Sequence, residues 1–148
     1  MRSAIEVVPK LGAKPGVPAL RVGGVATYDR PLEHLAGQLD VVDPRLPLRA
    51  RDRRYGLVLC FALAENDLVR LARELVRVAH PDGAVWVVVW KKAHLSLDAP
   101  SWDEAQAALL ETGWVDNKIL SLGGEVYATR YVRRRRPGKR EPLASLGR

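Results

Sequence analysis

Residues 55–90, YGLVLCFALAENDLVRLARELVRVAHPDGAVWVVVW, switch twice between two hydrophobic patterns. Tyr55 to Leu63 is a nearly unbroken apolar run, as expected for a strand covered on both faces. Beyond it Leu68, Leu71, Ala72, Leu75, Val76 and Ala79 recur at helical spacing and make one stripe, with Arg70, Arg73, Glu74 and Arg77 on the wet side. Pro81-Asp82-Gly83 ends that helix and opens a second buried strand, Ala84 to Trp90. Its period of two puts Trp86, Val88 and Trp90 on one face and Val85, Val87 and Val89 on the other. Strand, helix and strand in so short a stretch define a parallel βαβ unit.

Outward from this unit the alternation continues. LGAKPG (residues 11–16) is a turn before a first core strand, Ala19 to Val22. DRPLEHLAGQ predicts a short helix capped by Asp29, with Pro31 in its first turn and Gly37 near its end. LDVVDP is a second strand, stopped by Asp43-Pro44, and the arginine-rich stretch to Arg54 is a loop. After the βαβ unit, SWDEAQAALLETG carries the capping box Ser101 and Glu104 and a Gly113 stop. VDNKILSLGGEVYATRYVRR then reads as two strands around Gly123-Gly124, and so short a connection makes them antiparallel. The expected fold is an α/β, Rossmann-like, mainly parallel sheet with a C-terminal antiparallel hairpin.

Composition narrows the function classes. A chain of 148 residues suits one domain with a real core. Its longest apolar run, Ala84 to Trp90, is far too short to span a bilayer. The single cysteine, Cys60, excludes an internal disulfide and a cysteine-based zinc site, and His34, His80 and His94 are scattered, so no metal is expected. A bacterial-type cytoplasmic setting is expected. The net charge of +7 is concentrated in residues 133–148, which hold seven Lys/Arg and one acid. The reading is therefore one domain over 1–132 and a disordered basic tail over 133–148. Arg133, Arg134, Arg135, Arg136, Lys139 and Arg140 could meet nucleic acid or an acidic partner by charge alone, or could serve only solubility. No aromatic stacking platform accompanies them.

The order of elements resembles the class I S-adenosylmethionine-dependent methyltransferase fold over roughly residues 11–132, a sheet that also ends in an antiparallel pair. VAHPDGAVWVVVWKK is similar to that fold's turn into its fifth strand, with Pro81 and Gly83 matching and His80 and Asp82 departing. A closer similarity is to an uncharacterised bacterial family of short methyltransferase-like domains. These also open with the pattern of Leu11 to Gly16, place lysines where Lys91 and Lys92 stand, and finish on a strand running into basic residues. A full methyltransferase places a helix, a strand and a helix between its second and fourth strands. The eleven residues Pro44 to Arg54 contain two prolines and cannot supply them, so a truncated sheet is expected.

The resemblance locates a cofactor loop at LRVGGVAT (residues 20–27) and tests it. Gly23 holds the first of three alternating glycine positions, while Val25 and Thr27 hold the others, where β-branched side chains would fill the space a ligand needs. Arg21 stands where the family carries the acid that helps position the methionine ammonium. Asp43, 20 residues after Gly23, falls where nucleotide-binding folds put an acid on ribose hydroxyls, or it simply opens an Asp-Pro turn; the broken loop favours the turn. If the cleft is used at all, Gly23, Gly24, Asp43 and Trp90 line it. No catalytic residue emerges. Cys60 reads as a buried inert thiol, and nothing marks Asp40, Asp43 and Glu65 as an acid/base set. The expectation is a methyltransferase-like domain without cofactor or catalysis, acting through a protein partner or an unrecognised ligand. The alternatives are a methyltransferase with an atypical cofactor loop and a nucleic-acid-associated protein acting through its tail.

Overall fold

The computed structural model describes residues 3–64, 67–95 and 99–134. Six strands form one sheet: β1 (Ala19–Val22), β2 (Leu39–Val42), β3 (Tyr55–Phe61), β4 (Ala79–Trp90), β5 (Trp114–Ser121) and β6 (Val126–Arg133). Their order across the sheet is β2-β1-β3-β4-β6-β5. β1 to β4 run parallel, and β6 is antiparallel to both β4 and β5. The α/β fold with its C-terminal hairpin is as the sequence predicts, and β2 ends the sheet on the side where truncation was expected.

Strand periodicity sorts the core into two layers. Leu20, Val22, Val58, Cys60, Val85, Val87 and Val89 face the helices α3 (Leu68–Val78) and α4 (Trp102–Glu111). Ala19, Leu57, Leu59, Phe61, Trp86 and Val88 face α1 (Ala4–Lys10) and α2 (Asp29–Ala36). The apolar stripe of α3 buries Leu71, Ala72, Leu75 and Val78, and α4 starts on the expected capping box of Ser101 and Glu104. Among the described residues no helix is long and apolar enough to cross a membrane.

The structure revises four local expectations. α1 is additional: Ser3 and Glu6 form a capping box, and Val7 and Val8 are fully buried. Asp29 is not the cap of α2 but its first residue, and its carboxylate is engaged elsewhere. Pro81-Asp82-Gly83 is not a turn; β4 begins directly after α3 and carries an irregularity there, pairing Tyr55 with Ala79 and then Leu57 with Ala84. Arg133, assigned to the tail, is the last residue of β6, and the amide of Arg134 donates to Gly113 O at 3.1 Å.

The irregularity in β4 is built on two facing glycines. A Cβ on Gly83 would sit 2.7 Å from the carbonyl oxygen of Gly56, and a Cβ on Gly56 would run into the Val17 side chain. Both neighbours are held in place, one by the sheet and one by the turn before β1. Gly83→Ala should cost about 1–3 kcal/mol through overpacking and lower the melting temperature by several degrees. Gly124→Ala, which meets open space, should leave it unchanged. Thermal unfolding followed by circular dichroism reads both.

The connection from β2 to β3 returns along the sheet without a helix, and α3 holds it. Arg77 donates to Leu48 O at 2.8 Å, to Ala50 O at 3.0 Å and to the carboxylates of Asp52 and Glu74; Glu74 in turn accepts from the Leu48 amide at 2.8 Å. The Arg77 guanidinium, with the Leu48 amide, holds the Glu74 carboxyl below its ordinary value. A depressed carboxyl contributes stability above its unfolded value, and that contribution disappears as pH falls through the folded one. Stability should therefore decline below about pH 4.3, the ordinary glutamate value, and Arg77→Met should lower it at neutral pH while flattening this acid limb. Urea unfolding midpoints from pH 7 to pH 3 measure both effects.

Candidate functional site

In an open parallel sheet, ligands meet the carboxyl ends of the strands, here the ends of β1, β2, β3 and β4. β1 leaves the sheet through Gly23 (φ +67°) and Gly24 (φ +78°), two successive left-handed residues that only glycine adopts freely. The amide of Gly23 donates to Val42 O at 3.0 Å, which ties the turn to the end of β2. Gly24 passes so close to the Phe61 ring that a Cβ would overlap it. Val25 is extended and 61 % exposed, so its side chain lies outside the turn rather than filling it; Thr27 is exposed as well.

Arg21 does not present a free cation to this edge. Its side chain is largely buried, and its Nε and Nη2 donate to the two carboxylate oxygens of Asp29 at 2.6 and 2.9 Å. Its Nη1 donates to Gly23 O at 2.5 Å. The fork therefore braces the glycine turn against the start of α2, and Asp29 neutralises the charge. The sequence reading, which set Arg21 against a bound ammonium, lacked this partner.

Aromatic groups wall the same edge. Phe61 ends β3 and stacks on Tyr28, with ring centroids 6.1 Å apart and planes at 18°. Burial raises the Tyr28 pKa, so this phenol stays neutral. Trp90, at the end of β4, is half-buried and donates from Nε1 to Leu63 O at 2.9 Å. Asp43 follows β2, exposed, in a shallow groove shared with Val41, Val42, Arg45 and Arg49. Among the described residues no hydrogen bond or ion pair occupies its carboxylate. Gly23, Gly24, Asp43 and Trp90 all stand at strand ends on this edge. Phe61, Tyr28 and Asp29 belong to it too and were missed. The one signal for Phe61 was its being the chain's only phenylalanine, at the end of a buried strand.

Other candidates fall elsewhere. Asp40 accepts from the Tyr55 hydroxyl, and burial together with this bond pushes the Tyr55 pKa up to about 12. His34 is exposed on α2, and His80 Nδ1 accepts from the Asp82 amide at 3.0 Å. Arg133 lies at the other end of the sheet, 3.8 Å from Asp82. Glu65, Arg135, Arg136, Lys139 and Arg140 lie outside the described residues.

The fold so defined is that of the class I S-adenosylmethionine-dependent methyltransferases. It is shared with a SAM-dependent methyltransferase from Aquifex aeolicus at 16% identity and a TM-score of 0.66, over 86% of this chain and 88% of that one. A geranyl diphosphate methyltransferase in complex with SAM aligns at 12% identity and TM-score 0.68, over 88% and 84% of the two chains. The geranyl diphosphate C-methyltransferase of Streptomyces coelicolor A3(2), in complex with Mg²⁺, geranyl diphosphate and S-adenosyl-L-homocysteine, aligns at 11% and 0.68, over 87% and 78%. No family model and no curated protein sequence matches the chain. These structures correct the expectation of a domain without cofactor: the fold is shared with solved methyltransferases that hold S-adenosylmethionine or S-adenosyl-L-homocysteine. The physical reason lies in the loop, where the departures at Arg21, Val25 and Thr27 do not block the turn.

Cys60 is fully buried, and desolvation lifts its thiol to about 12. At pH 8 burial keeps the thiol protonated and away from solvent. The native protein should not react with a disulfide reagent at pH 8 over hours, and should release one equivalent once unfolded in guanidinium. Absorbance of the released thiolate reads this.

Proposed function

We propose that this chain is an S-adenosylmethionine-dependent methyltransferase with an atypical cofactor loop, its cofactor lying across the carboxyl ends of β1 and β2. The observation that carries the reading is the pairing of an intact left-handed glycine turn with a free carboxylate at the end of the next strand. Asp43 would accept hydrogen bonds from the ribose hydroxyls. The exposed backbone of Gly24 would approach the ligand closely, and the half-buried Trp90 would supply an apolar boundary toward β4. Arg21, already paired with Asp29, would position the turn rather than oppose the ligand's charge. The cofactor, when bound, would supply an electrophilic methyl group on a sulfonium, which passes to a nucleophile as its C–S bond breaks and a neutral thioether leaves. The solved neighbours support this reading over that of a non-catalytic interaction domain, because they share the fold and two of them hold the cofactor or its product.

Titration calorimetry with S-adenosylmethionine and S-adenosyl-L-homocysteine tests the proposal directly. Saturable binding in the micromolar range is expected for at least one of them. Asp43→Ala should weaken it by about ten-fold or more, the loss of hydrogen bonds to a charged group at about 1.5–3 kcal/mol. Absence of binding by both ligands up to millimolar concentration, or full affinity in Asp43→Ala, would overturn the assignment.

A further inference from the structure

At the opposite edge of the sheet lies a second cleft, of about 440 Å³, that the proposed methyl transfer does not use. Its walls come from the turn LGAKPG, the start of β3, the irregular start of β4 and the later part of β6. The charged residues that line it are Lys14, Arg54, Arg130 and Asp82, and His80 stands beside them. Asp82 is the sole acid among them and faces Arg133 at 3.8 Å. Lys14 and Arg130 have no acidic partner among the described residues, and Arg54 rests against the Tyr55 ring at 5.9 Å and hydrogen-bonds the Tyr55 side chain. The floor is apolar, made by Leu11, Val17, Pro18 and Ala84.

The cationic character extends beyond the cleft itself. Arg130 stands directly opposite Lys118 across the β5–β6 pair. Like charges in that position destabilise a sheet, and neither carries an ion pair among the described residues. The chain retains this repulsion in a body that is otherwise nearly neutral, since most of the net charge falls in residues 133–148. Two cations without an acidic partner, Lys14 and Arg130, with Arg54 beside them around an apolar floor, match a ligand with at least two negative charges attached to an organic body.

We propose that this cleft binds an organic phosphate, its phosphate oxygens held by Lys14, Arg54 and Arg130 and its organic part resting on Val17 and Pro18. The seven residues of β3 put the cleft roughly 20 Å from the proposed cofactor edge, at about 3.3 Å per residue. A phosphate held here is therefore too far away to be the methyl acceptor and acts as a second ligand. The proposal does not depend on cofactor binding at the other edge.

The test is an NMR titration of the full-length protein with pyrophosphate and with adenosine 5′-monophosphate, sodium chloride being adjusted to keep ionic strength constant. Saturable shifts should appear at the amides of Gly12, Gly16 and Gly83. Lys14→Gln and Arg130→Gln should each weaken binding by about five-fold or more, and adenosine without its phosphate should leave the amides unmoved. Because Lys14 is exposed, its substitution reads the site even if Arg130→Gln fails to fold. Substituting Arg135, Arg136, Lys139 and Arg140 together by glutamine should change affinity by less than about two-fold. The proposal fails if neither phosphate shifts these amides, if the lysine variant binds as well as the parent, or if the tail substitutions abolish binding. It fails equally if a single-stranded RNA binds the protein and pyrophosphate does not displace it.

Discussion

The molecule depends on how the chain returns from β2 to β3 without a helix. Parallel strands run the same way, so the connection must travel back the length of the sheet, and a helix ordinarily covers that path and satisfies its own backbone. Here residues 43–54 make the return as loop, which leaves carbonyls that need donors. One side chain supplies donors to two of them, and the Ala50 amide also donates to Leu48 O at 3.0 Å. Arg77 reaches Leu48 O, Ala50 O, Asp52 and Glu74 from the last turn of α3, and Leu48 closes the gap by entering the core beside that helix. Because the loop is held there, β2 can end the sheet and β1 can remain an interior strand. That interior position is what sets Gly23 and Gly24 between the end of β2 and the end of β3.

The glycine turn shows how one charge can carry opposite meanings. Taken alone, Arg21 faces a cationic ligand group and repels it. Folded, its guanidinium lies along Asp29 and Gly23 O, so the fork spends its donors on the turn and on the first residue of α2. A bidentate pair this well buried acts as a brace, and removing either member would strand the other's charge. Phe61 completes the arrangement from β3, since the close passage of Gly24 over its ring leaves room for no other residue.

Most of the architecture was legible because it rests on period. The alternation of Val58, Cys60 and Val85, Val87, Val89 against Leu57, Leu59 and Trp86, Val88 announces a sheet buried on both faces, and the stripe of α3 announces its cover. The short β2–β3 connection could be counted directly. What failed were features decided across space. α1 is seven residues with a proline, too short for a periodic signal, and it stands on Val7, Val8 and its capping box. The irregular start of β4 follows from Gly83 meeting Gly56, a contact between residues far apart in sequence. The charge at the glycine turn was misjudged because Asp29 is eight residues from Arg21 and returns to it only through the turn.

The two edges of the sheet divide their chemistry by strand direction. At the carboxyl ends of β1 to β4 the described residues gather glycines, aromatic rings and the unpaired carboxylate of Asp43. β6 runs against these strands, so it carries its last residues to the opposite edge, where Arg130 and Arg133 join Lys14 and Arg54. The antiparallel hairpin therefore does more than close the sheet. Had β6 been parallel to β4, its terminal arginines would lie at the carboxyl edge, next to Trp90 at the end of β4. Reversing that one strand keeps these arginines at the opposite end of the sheet from the glycine turn.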